Sequence, residues 1–330
     1  MVMALRKLEA MIKKRKPRIG IALGSGSARG WSHIGVLKAL AEMGIHPQIV
    51  CGCSMGAVVG AAYAADNLAK LEEWATSLTK IDLVGFFELN LSLNGVLRKE
   101  KLMSYFNEYV CSDQLAIADL NHRFATVATT LEHGRERWFT NGLAMDAVWA
   151  SMALPGLFPP FLYEDEWLID GGLVNPVPVS LCRALGADVI FAVNLNGVPG
   201  KKTPKTPAKD APSETLPAVS ENKPNTNASS GSLVNSMATS LKGYSTRLSL
   251  NKNQEQAPQP PGVIDIMARS INIMQDKITR SRMAGDPPEL VFNPRVGDVS
   301  LLEFHRAKET IAEGYACVQR LEAEIESFIY

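Results

Sequence analysis

Ser54 stands between two glycines in the run Gly52-Cys53-Ser54-Met55-Gly56. Before it, Ile49-Val50-Cys51 is apolar and reads as the end of a buried strand; after it, residues 57–65 are rich in small side chains and read as a helix. At such a turn a serine can project its hydroxyl clear of the backbone, the geometry of a nucleophile elbow. The turn is too sharp for side chains two residues before and two after the serine, which accounts for Gly52 and Gly56. The head of the following helix adds partial positive charge where an oxyanion would form. Taken alone, the pentapeptide also fits a glycine-rich turn with an ordinary capping serine.

A second glycine-rich station lies upstream, in Gly24-Ser25-Gly26-Ser27-Ala28-Arg29-Gly30. It follows the apolar run Ile19-Gly20-Ile21-Ala22-Leu23 and precedes a helical pattern over 31–43. Such loops present backbone N–H groups to an anion. A dinucleotide fingerprint would need a third glycine where Arg29 stands, and an acid at the end of the next strand. A phosphate-binding P-loop would need Gly-Lys-Ser/Thr, but Gly30 is followed by Trp31-Ser32. The third reading is an oxyanion hole facing Ser54, because sequential parallel strands are usually neighbours and their carboxyl ends carry sites.

A serine hydroxyl needs a base. Among the five histidines only His305 follows a suitable acid, and it lies far downstream in the final helical pattern; His33 falls inside the helix after the glycine loop and reads as a packed or capping residue. Asp170 ends a short strand and is followed by Gly171-Gly172, which lets its carboxylate approach another loop. An aspartate is a weak base at its free pKa of about 3.9 and would need burial and direct contact with the serine. The bland alternative is a turn aspartate before two glycines.

The elements that must hold these residues read as an α/β pattern. Strands are expected at 19–23, 49–51, 123–130, 167–169, 188–195 and 289–292, with 137–140 as a hairpin partner. Helices are expected at 68–79, 99–110, 146–152, 179–185 and 263–284, with one long helix over 302–328; residues 82–98 read as an apolar loop. From residue 197 to 262 Pro, Lys, Ser, Asn, Thr and Gln dominate, which reads as a disordered insertion. The expected organisation is therefore a basic leader (1–17), a catalytic core (18–196), the insertion (197–262) and C-terminal elements (263–330) completing the same domain.

The chain has 330 residues and equal numbers of basic and acidic side chains, 34 of each, so no basic field argues for nucleic acid. Its five scattered cysteines suit a reducing, cytoplasmic setting, and no Cys/His pairing suggests a metal. Residues 1–18 carry seven Lys and Arg without a long apolar run. The leader reads as solvated, with peripheral membrane contact as the second reading.

With these stations in order, the chain resembles the patatin-like phospholipases, in the bacterial branch related to the neuropathy target esterase. The matching segments are Gly24–Gly30 with Arg29, Gly52–Gly56 and Asp170–Gly172. Trp31-Ser32-His33-Ile34-Gly35-Val36-Leu37, Ala153 to Pro160 and Asn175-Pro176-Val177-Pro178-Val179 match as well. The resemblance covers about 18–196. It implies a three-layer α/β fold with a mostly parallel central sheet and helices on both faces. It also implies a Ser54–Asp170 dyad hydrolysing lipid or lysophospholipid esters without metal or cofactor. N–H groups of Gly26, Ser27, Ala28 and Met55 would form the oxyanion hole, with Gly24, Arg29, Gly30, Gly52, Gly56, Gly171 and Gly172 shaping the loops. Ser25 and Ser27 stand where the family often has glycine. An acyltransferase with the same nucleophile, or a regulatory protein keeping the fold, are the rival readings.

Overall fold

The computed structural model describes residues 17–87, 99–197 and 263–328. The leader, residues 88–98 of the apolar stretch and residues 198–262 of the expected insertion lie outside the described residues. Among those described, eight strands form one sheet: β1 (Ile19–Leu23), β2 (Ile49–Gly52), β3 (Arg123–Thr130), β4 (Glu136–Phe139), β5 (Phe161–Tyr163), β6 (Glu166–Asp170), β7 (Val189–Val193) and β8 (Leu290–Phe292). Their order is β5-β6-β3-β2-β1-β7-β8, with β4 also pairing with β3. The five strands from β3 to β8 run parallel; β4, β5 and β6 pair antiparallel.

Both faces of the parallel part are covered, which is why β1 and β2 contain no polar alternation. Ile21 and Leu23 point into one core with α1 (Ser32–Glu42), α2 (Met55–Ala64), α3 (Leu68–Ser77), α5 (Lys99–Tyr109) and α6 (Ala144–Met152). Ala22, Cys51, Ala125 and Ala192 point the other way, onto Val179, Leu181 and Cys182 of α7 (Val179–Ala184) and Met283 of α8 (Val263–Gly285). The three layers read from sequence are present.

The elements after residue 262 are built into this core. Helix α9 (Ala307–Gln319) crosses α1 with backbones touching: a Cβ on Gly35 would stand 1.9 Å from the Ile311 carbonyl oxygen, and one on Gly314 would stand 2.0 Å from that of Ser32. Such contact is open only to glycine. Helix α8 is held by Arg282, whose Nη2 donates to Glu136 Oε2 at 2.6 Å, and by Arg183, whose Nε donates to Asp286 Oδ1 at 2.6 Å.

Three expectations need correction. Residues 80–87, read from Asp82 onward as loop, form the helix α4 (Lys80–Phe87). Its start is a reciprocal cap: Thr79 Oγ1 donates to Asp82 Oδ2 at 2.6 Å and the Asp82 N–H returns to Thr79 Oγ1 at 3.3 Å. The long final helix is three pieces, a 3-10 turn at Phe304–Arg306, α9, and α10 (Glu322–Glu326). The short edge strand β5 is additional to the strands expected.

Candidate active site

At the end of β2 the chain turns into α2 through Ser54, whose backbone takes φ 55° and ψ −122°. A non-glycine residue with positive φ is strained, and such strain is kept only where the surroundings impose it. Here they do. A Cβ on Gly52 would lie 2.3 Å from the Gly56 carbonyl oxygen, and one on Gly56 would lie 2.1 Å from that of Leu23. The two glycines therefore let β1, β2 and α2 close around the serine. The Ser54 N–H donates to Ser151 Oγ at 2.9 Å, a contact from α6 that pins the strained residue.

Asp170 ends β6, which pairs with β3, two strands away from β1. Its side chain is almost wholly buried. Oδ2 accepts from Ser54 Oγ at 2.6 Å, and Oδ1 accepts from the Gly172 N–H at 2.7 Å. The Asp170 backbone is fixed as well, its carbonyl accepting from Thr129 Oγ1 at 2.8 Å and its N–H donating to Ala153 O at 3.0 Å. Burial raises the Asp170 pKa to about 6; the hydrogen bonds from Ser54 and Gly172 pull against that rise. The two residues singled out from sequence are thus in direct contact.

The histidines are not. His33 is fully buried and donates from Nε2 to the Gly24 carbonyl at 2.7 Å; burial lowers its pKa to about 4, so the ring is neutral at ordinary pH. Its role is to hold the glycine loop. His305 sits in the 3-10 turn at Phe304–Arg306, with Nδ1 buried and without a partner among the described residues, and takes no part in the Ser54 contact.

The glycine loop faces the elbow as expected, with one correction. The N–H groups of Gly26, Ser27 and Met55 have no acceptor among the described residues, and all three residues line the cavity at Ser54. The Ala28 N–H donates to Leu301 O at 3.1 Å and is not free for an oxyanion. Around that bond lies a cradle from the C-terminal part of the chain. Ser27 Oγ donates to Leu301 O at 2.6 Å, Arg29 Nε to Val299 O at 2.8 Å, and Trp31 Nε1 to Phe304 O at 3.2 Å. Arg29 therefore orders the loop. Ser27 takes φ 49° here, and its hydroxyl supplies a tether that glycine could not. Ser25, the other departure from glycine, donates to Gln275 Oε1 at 3.0 Å.

The cavity at Ser54 has two kinds of lining. Ser54, Asp170, Gly26 and Ser27 form a polar end. Ser25, Asn272 and Gln275 also line the cavity; the remaining lining is mostly apolar, with Trp31, Trp74, Phe106, Leu83, Leu154 and Phe158 prominent. Ser151, Gln275 and the Leu301 carbonyl were not found from sequence. None belongs to a local pattern, since each reaches the site from a distant element.

An elbow serine on a mostly parallel sheet, paired with a buried aspartate and faced by a donor-rich loop, is the architecture of the patatin-like class. The family model described as patatin-like phospholipase matches residues 21–183. An uncharacterized NTE family protein of Mycobacterium tuberculosis is 34% identical, over 93% of this chain and 92% of that protein. Lysophospholipase NTE1 of Pyricularia oryzae is 27% identical over 90% of this chain, which spans only 18% of that protein. Among solved structures, VipD from Legionella pneumophila aligns with a TM-score of 0.46 and 13% identity, over 94% of this chain and 67% of that one. This chain belongs to the patatin-like phospholipase family, among its NTE members. No helix among the described residues is long and apolar enough to cross a membrane.

Proposed function

We propose that this protein is a serine lipid acyl hydrolase of the lysophospholipase type, working through a Ser54–Asp170 dyad and an acyl-enzyme. The observation that carries the reading is the 2.6 Å hydrogen bond from Ser54 Oγ to a buried Asp170, placed at the polar end of an apolar cavity. The names of the fungal relatives support the substrate class.

In this mechanism Ser54 Oγ attacks the ester carbonyl carbon and its proton passes to Asp170 Oδ2. The carbonyl oxygen, now negative, takes hydrogen bonds from the N–H groups of Gly26, Ser27 and Met55. One such donor contributes on the order of 3 kcal/mol. The carbon–oxygen bond to the alcohol then breaks, and Asp170 returns the proton to the departing alkoxide. Water repeats the sequence, with Asp170 as base, and frees the fatty acid. A carboxylate with a pKa near 6 is a better base than a solvated one, which is what burial supplies here. The apolar walls hold the acyl chain. The reading places the enzyme in the cytoplasm, with the five buried free cysteines suiting a reducing setting. Its work on lipid would bring it to a membrane surface. The domain would be one catalytic unit, interrupted by the 197–262 stretch.

The test uses p-nitrophenyl esters and a 1-acyl lysophospholipid with purified protein. Fatty acid should be released from both. A fluorophosphonate should label one peptide, the one containing Ser54, as read by mass spectrometry. A protein inert on every ester and unlabelled overturns the reading; acyl transfer to an added alcohol in preference to water would favour a transferase.

The pH profile offers a second check. The base must be a carboxylate, so kcat/KM should be level above about pH 7 and fall about tenfold per pH unit as pH drops through about 6. A level profile down to pH 4.5 would rule out a raised Asp170 pKa as the working feature.

A further inference from the structure

Gln275 lies on α8, outside the residues matched by the family model, and is almost wholly buried. Its Oε1 accepts from Ser25 Oγ at 3.0 Å and from Asn196 Nδ2 at 2.9 Å. Two donors on one oxygen fix the carboxamide and turn its Nε2 the other way. That nitrogen sits over Gly172, 2.3 Å from where a Cβ on the glycine would stand; Asp170 Oδ1 lies 2.9 Å from the same point. A neighbouring carboxylate favours the NH₂ end of the amide in that position. Nε2 makes no hydrogen bond among the described residues, and Gln275 lines the cavity. The acceptor end of this amide is thus fully used, while its donor end faces the reacting groups unpaired. A donor left so at the cavity wall is free to pair with a ligand.

We propose that Gln275 is a specificity-determining residue that donates from Nε2 to a free hydroxyl oxygen on the glycerol leaving group, next to the scissile ester. The proposal rests on the hydrolase reading above. In that reaction the alkoxide leaves toward the proton held by Asp170, while the carbonyl oxygen lies toward Gly26, Ser27 and Met55. A donor beside Asp170 therefore faces the alcohol. The preferred substrate class is then a monoacyl glycerol ester with an unesterified hydroxyl. A site built to pair a hydroxyl rejects the analogue that lacks it, because its own polar group is left unsatisfied.

The experiment compares 1-palmitoyl lysophosphatidylcholine, its 2-deoxy analogue and p-nitrophenyl palmitate. Wild type should favour the hydroxyl-bearing lipid over the deoxy analogue by about tenfold or more in kcat/KM. Gln275→Met should bring that ratio close to one. Ser25→Ala, which frees Oε1 from one of its two donors, should lower the ratio in part, and it carries the test if Gln275→Met does not fold. A merely structural Gln275 would lower all three substrates alike and leave the ratio intact, which overturns the proposal. So does a wild-type ratio near one with p-nitrophenyl palmitate turned over, and that outcome leaves the hydrolase reading standing. Failure on all three substrates removes both.

Discussion

Asp170→Asn is expected to lose activity on the order of 10³-fold while unfolding at a higher temperature than wild type. The two effects have one cause. Asparagine fits the same space and its Oδ1 can still accept from the Gly172 N–H. Its NH₂, however, donates to Ser54 Oγ where the carboxylate accepted, so the serine proton has no destination. The stability gain follows from linkage. The folded pKa is about 6 against an ordinary 3.8. Below about pH 3.8 the group is protonated in both states and carries no cost. Between 3.8 and 6 the unfolded chain releases the proton and the folded one keeps it, so stability falls as pH rises. Above 6 the whole cost is present, on the order of 3 kcal/mol. Asparagine lacks that cost. Thermal unfolding at pH 7.5 should show a higher Tm for the variant, with the gap closing toward pH 4. An unchanged or lower Tm at pH 7.5 would mean that the buried carboxylate is not a stored expense of the fold, and full esterase activity would place the base elsewhere.

Ser54→Ala is expected to lose at least about 10⁴-fold, since it removes the hydroxyl that is paired with Asp170. Unlike Asp170→Asn it should gain no stability at neutral pH. Alanine at position 54 keeps the strained φ of 55° and removes a donor from a buried carboxylate. Asp170 then loses one of its two stabilising hydrogen bonds and its pKa rises further. Both variants should therefore be severely impaired, while only Asp170→Asn should gain in Tm. Retained turnover above a few per cent in Ser54→Ala, with no contaminating esterase in a mock preparation, would show that the elbow serine is not the nucleophile.

The residues legible in the sequence are those whose role is local. Gly52 and Gly56 announce the elbow because a turn that tight admits no Cβ. Gly171 and Gly172 mark Asp170 for a similar reason. Strands β1 and β2 are readable as unbroken apolar runs because both of their faces are covered. The helix α4 was hidden by its apolar composition, although Thr79 and Asp82 form a capping pair at the right spacing. The final helix was read as continuous because its apolar period runs through the break between α9 and α10. The fate of the Ala28 N–H could not be read at all. Its acceptor, Leu301, is 273 residues away, and nothing near Ala28 marks it. Gln275 and Ser151 escaped for the same reason: their meaning depends on which distant loop lies opposite.

The cradle under the glycine loop also sets an order in time. A ribosome that has passed Asn196 has already made the serine, the aspartate and the whole loop between β1 and α1. It has not yet made Val299, Leu301 or Phe304, whose carbonyls hold that loop in place, nor the helix whose Gly314 locks onto α1. The earliest part of the site to be synthesised is thus finished by one of the latest. A chain cut short before residue 299 would carry Ser54 and Asp170 without the carbonyls that hold the glycine loop in place.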